Sequence, residues 1–74
     1  MSKLPQITPK KLVKFFLKQG FVVLRQVGSH ARLAHSDGRK ITIAIHNKPI
    51  AHGTFQSILR QAKLTRNVFL KLFK

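Results

Sequence analysis

Apolar residues run first at helical spacing, then in alternation, then at helical spacing again, and these changes of period divide the chain into elements. Leu12, Val13, Phe15, Phe16 and Leu17 form a wide apolar stripe, with Lys10, Lys11, Lys14 and Lys18 on the other side. Thr8 offers an N-cap hydroxyl, Pro9 suits a first helical position and Gly20 supplies a stop, so the pattern predicts a helix over residues 8–19. Residues 21–26 are rich in β-branched and aromatic side chains and read as a strand, with Val27, Gly28 and Ser29 as its turn.

Two further strands, residues 30–35 and 39–45, flank Ser36-Asp37-Gly38, a three-residue hairpin loop with glycine where a left-handed conformation is needed. Closing the hairpin there sets Ala31 opposite Ile43, Leu33 opposite Ile41, His30 opposite Ala44 and Arg32 opposite Thr42. Side chains alternate along a strand, so Ala31, Leu33, Ile41, Ile43 and Ile45 face the core, and His30, Arg32, Lys40, Thr42 and His46 face outward. After a loop with Asn47, Lys48, Pro49 and His52, Gly53-Thr54 can cap a second helix that buries Phe55, Ile58, Leu59 and Ala62. Thr65 can cap a short third helix carrying Val68, Phe69, Leu72 and Phe73. The expected fold is one α+β domain over residues 1–74, with 1–7 as a loose lead-in. Its order is α-β-β-β-α-α: a three-stranded antiparallel sheet, helices packed on one face and the other face open.

Charge changes the picture from fold to partner. Of 74 residues, 15 are Lys or Arg and one is acidic, a formal net charge of +14. Hydrophobic residues at 43% are too many for a disordered basic tail, so a folded domain that meets a polyanion is expected, either nucleic acid or an acidic protein. The absence of cysteine excludes a disulfide framework and a thiolate zinc site, and a cytoplasmic location fits. No apolar run approaches the roughly 20 residues of a membrane span or the roughly 7–15 of a signal segment.

The candidate chemistry is then narrow. Paired-carboxylate catalysis is excluded when Asp37 is the sole acid, and Asp37 reads as a turn residue. A zinc site fails because His30 and His35 point to opposite faces of one strand, so no metal or other cofactor is expected. His35 and His52 read as structural or solvated, and the phenylalanines sit at core spacing rather than as base-stacking platforms. His30 and His46 remain, on one face with Arg32 and Lys40 beside them. That arrangement suits phosphodiester chemistry: an imidazole can take the 2′-hydroxyl proton of RNA or protonate the leaving 5′-oxygen, while cations neutralise charge on the phosphorane. Two other classes compete with it, a non-catalytic basic RNA-binding module and a cationic ribosomal or membrane-active protein.

Gly20-Phe21, Gly28-Ser29-His30, Asp37-Gly38-Arg39, Ile43 with His46, and Gly53-Thr54 with Ile58-Leu59-Arg60-Gln61-Ala62 resemble, in order and spacing, the HicA family of mRNA interferase toxins. The resemblance covers roughly residues 8–73. It implies a fold similar to double-stranded-RNA-binding domains, a ribosome-independent endoribonuclease that cleaves mRNA and inhibits translation, and inhibition by a HicB antitoxin. It makes His30 of Gly-Ser-His the catalytic residue and carries over His46 as a second candidate. Ser29, Arg32, Lys40 and Lys48 are the residues expected to bind RNA. The chain departs from the family at Ala31, where a second histidine is frequent, and at Arg66 and Asn67, where acidic residues are frequent.

Overall fold

Threonine side chains cap the starts of two helices, and backbone hydrogen bonds close the ends of two. The computed structural model describes residues 7–73: α1 (Pro9–Lys18), β1 (Val22–Val27), β2 (His30–Ala34), β3 (Lys40–Ala44), α2 (His52–Gln61) and α3 (Arg66–Leu72). The expected α+β order is the observed one. At the start of α1, Thr8 Oγ1 accepts from the Lys11 N–H at 3.3 Å, with Pro9 at the first helical position. Leu12, Phe15 and Phe16 are buried, but Leu17 is 45% exposed. The apolar stripe is therefore narrower than expected, because Leu17 lies about 140° round the helix from Leu12 at ~100° per residue.

α1 ends in a Schellman arrangement. The Phe21 N–H donates to the Phe16 carbonyl and the Gly20 N–H to the Leu17 carbonyl, and the Phe16 and Phe21 rings meet edge to face at 5.1 Å. Gly20 has φ +98°, and a Cβ there would stand 2.9 Å from His35 Nε2, so both backbone and space exclude a side chain. α2 ends the same way, with Leu64 N–H donating to the Leu59 carbonyl and Lys63 N–H to the Arg60 carbonyl. Here a lysine, Lys63 at φ 57°, holds the left-handed position.

The start of α2 corrects the sequence reading. The helix begins at His52 with Ala51 as N-cap and no side-chain cap, so Gly53 and Thr54 lie inside its first turn. For α3 the expected cap holds: Thr65 Oγ1 accepts from the Val68 N–H at 3.1 Å. The lead-in reading is also corrected at Ile7, which is 3% exposed and accepts from the Ile50 N–H through its carbonyl. Residues 1–6 lie outside the described residues.

The sheet has strand order β1-β2-β3, antiparallel throughout. The β2–β3 register is the expected one, and Gly38 has φ +100° in the loop between them. Ala31, Leu33, Ile41 and Ile43 are buried beneath the helices, and Ile45 packs at the margin of the core. Phe69 of α3 joins the helices, 4.7 Å from the Phe15 ring and 4.9 Å from that of Phe55. Five of the six phenylalanines are buried and Phe73 is half-buried, which fits the core role read from their spacing. β1 is exposed along its whole length. Its pairing with β2 skips one residue: Val23 is opposite Leu33, then Arg25 opposite Arg32, leaving Leu24 as a bulge.

Candidate functional site

The open face of the sheet follows from alternation alone on β2 and β3, because burying Ala31, Leu33, Ile41 and Ile43 turns His30, Arg32, Lys40 and Thr42 to solvent. The Gly28-Ser29 turn brings His30 opposite Val27, and the Ser29 carbonyl accepts from the Ile45 N–H, tying the turn to the end of β3. Gln26 Nε2 donates to the Gly28 carbonyl at 3.2 Å across the same turn. Arg25, Val27, His30, Arg32 and Thr42 line a shallow depression of about 220 Å³ on this face. All five are exposed.

The expected site residues are not all brought together. Of them, His30 and Arg32 share the depression, and Lys40 lies on the same face near the hairpin loop, opposite Ala34. Ser29 is half-buried in the turn. His46 and Lys48 line another cavity of about 280 Å³, with Pro9, Ile43, Ile50, Ala51, Thr54 and Ile58. His46 and His30 therefore line different cavities. The β3 ladder ends at Ala44, and past the Ile45 N–H bond to the Ser29 carbonyl His46 stands beyond the paired strand. Arg25 was not among the candidates. Counting back from the two-residue turn, with Val27 opposite His30, would have found it.

Of the other two histidines, His35 is built into the fold and His52 is exposed. His35 Nε2 donates to the Gln19 carbonyl at 3.2 Å, which leaves Nδ1 to accept the Asp37 N–H at 3.1 Å, and the ring packs edge to face on Phe21. His52 stands at the start of α2, 3.4 Å from Gln56 Nε2. Asp37 does more than shape a turn. Its carboxylate accepts from the Arg39 N–H at 3.1 Å and from Arg39 Nε at 2.8 Å. The bond from the Arg39 N–H, then that from its guanidinium and the guanidinium charge, hold it below the ordinary carboxylate range. Arg39 also donates to the Ala62 carbonyl at 2.6 Å and covers the Phe21 ring at 5.1 Å, joining the hairpin loop to both helix ends. The single acid is thus committed away from the open face, whose field is positive. Among the described residues no three of His, Cys, Asp and Glu are grouped to hold a metal ion.

A family model described as HicA toxin of bacterial toxin-antitoxin matches residues 9–64. The chain belongs to the HicA toxin family. The match takes in α1, the whole sheet and α2, and so the entire His30 depression, but stops before α3. A comparison with curated proteins found no match. As a HicA toxin the protein is one half of a toxin-antitoxin pair, and an antitoxin is its partner. No helix among the described residues is long and apolar enough to cross a membrane.

Proposed function

We propose that this HicA toxin is an mRNA endoribonuclease that works from the open face of its sheet, and that a HicB-type antitoxin silences it in the cytoplasm by covering that face. The observation that carries the reading is His30 standing exposed in a depression whose charged neighbours are both arginines. In the proposed step His30 takes the proton of the RNA 2′-hydroxyl, the O2′–P bond forms and the P–O5′ bond breaks. The 5′-oxygen leaves with a proton delivered by water, protonated His30 returns its own proton to solvent, and a 2′,3′-cyclic phosphate remains on the upstream fragment. Cationic side chains beside His30 stabilise the charge that grows on the non-bridging oxygens. His46 and Lys48 contact RNA beyond the depression, and Ser29 and Lys40 meet its backbone on either side.

The test compares wild type and His30→Ala on one end-labelled RNA, at equal folded concentration and with EDTA present. Wild type should cut, leaving cyclic phosphate ends. The variant should lose about 10²–10⁴-fold in rate while keeping its fold and its RNA affinity, because the side chain it lacks is exposed. Equal rates would remove His30 from the mechanism, and no cleavage by either protein would favour a non-catalytic RNA-binding module.

A further inference from the structure

We propose that Arg25 and Arg32 together form a clamp for one RNA backbone phosphodiester beside His30, resting on the reading that this face meets RNA. The two arginines are directly opposite one another on β1 and β2 and both line the depression. Like charges in that position destabilise a sheet. Among the described residues nothing offsets them: neither guanidinium has a hydrogen bond or ion pair there, and Asp37 is held by Arg39.

The placement of Arg25 depends on the bulge. With Val23 opposite Leu33, an unbroken ladder would set Leu24 opposite Arg32 and Arg25 opposite Ala31, which is 1% exposed and faces the helices. Skipping Leu24 turns Arg25 to the open face instead, and leaves Leu24 itself 53% exposed on an edge strand. An exposed leucine, an interrupted ladder and a repulsive pair are all unfavourable to the free fold. An anion between the guanidiniums turns the repulsive pair into an attractive site and so offsets part of that cost. A phosphodiester fits: it carries one charge on two non-bridging oxygens, and planar guanidinium forks bind such groups in bidentate fashion. Arg32 lies two residues from His30 along β2, about 7 Å at the backbone, within reach of the phosphate that His30 faces.

The experiment measures binding of a 2′-O-methyl RNA oligonucleotide, which cannot be cut by 2′-hydroxyl attack, over a salt series. It uses wild type, Arg25→Gln, Arg25→Lys, Arg32→Gln, the double Gln variant, and Lys14→Gln on α1 as a control. Arg25→Gln should bind about tenfold more weakly, and its log-log salt slope should flatten by about 0.7. Arg25→Lys should keep the slope but lose affinity, because an ammonium lacks the fork. The double variant should lose little more than either single one, since one phosphate is released in all three. In melting experiments at low salt, Arg25→Gln should raise Tm, and the gap should close at high salt as repulsion is screened. A lowered Tm would assign Arg25 a structural role and overturn the clamp. So would Arg25→Gln or Arg25→Lys binding like wild type while Lys14→Gln does the same. If wild type itself binds no RNA, the functional reading falls with the clamp.

Discussion

Asp37 is the one acidic side chain in a chain of +14 charge, and its bonds to Arg39 make the hairpin loop sensitive to acid. A carboxyl whose pKa is lower in the folded than in the unfolded state contributes stability that is present above the unfolded value, about 3.9, and is lost as pH falls through the folded value. Asp37→Asn should therefore unfold at lower urea than wild type near pH 6, and the gap should shrink and then vanish as the pH falls through the lowered folded-state value. The effect is small because the carboxylate is exposed and screened. A gap that persists at low pH would mean the loop relies on the Asp37 shape and not on its charge. The sequence identified Asp37 as a turn residue from its neighbours alone. It did not reveal Arg39 bonding the carbonyl of Ala62, because that contact spans 23 positions and exists only once α2 has packed.

Among the elements, the two Schellman ends are alike in hydrogen bonding and unlike in residue. Gly20 occupies the left-handed position after α1, whereas Lys63 occupies it after α2 at φ 57°. A side chain in that region costs roughly 1–2 kcal/mol, partly offset by the greater chain entropy that glycine loses on folding. Lys63→Gly should stabilise the protein by about 0.5–1 kcal/mol, read as a higher urea midpoint with an unchanged slope. A lower midpoint would show that Lys63 makes contacts worth more than the strain. The end of α1 was legible because Gly20 is a strong local signal, and the end of α2 was not, since no glycine marks it. The start of α2 was misplaced for a related reason: Ala51 caps without a side-chain bond, so the Gly53-Thr54 pair was the stronger and misleading cue.

For the molecule as a whole, charge is the dominant feature toward a partner. One acid against fifteen cations, with that acid occupied, leaves the open face positive. Association with an acidic antitoxin should be fast at low ionic strength and slow steeply as salt is raised, while dissociation changes little. Stopped-flow mixing across a salt series checks this, and an association rate flat in salt would mean that apolar contacts, not steering, govern encounter. A surface with that role is available: Val22, Val23, Leu24 and Val27 on β1 are each about half exposed.

Period and turn residues were enough to establish the order of elements, the buried face of α2 and the β2–β3 register, because each depends on neighbours a few positions apart; on α1 and α3 they overcounted, since Leu17, Val68 and Leu72 are exposed. Ser36-Asp37-Gly38 sets the hairpin pairing, and that pairing turns His30 and Arg32 outward. Packing decided the rest. The buried Phe21 at the end of α1 fixes where β1 begins, and the Gly28-Ser29 turn fixes how it ends against β2. The two registers differ by one residue, so the chain expels Leu24 and Arg25 joins the face that its position in an unbroken strand would have denied it. His46 lies beyond the last ladder pair of β3 at Ala44 and lines a different cavity from His30. A strand's alternation is a local property, but where two strands slip or part is set by what each end is packed against.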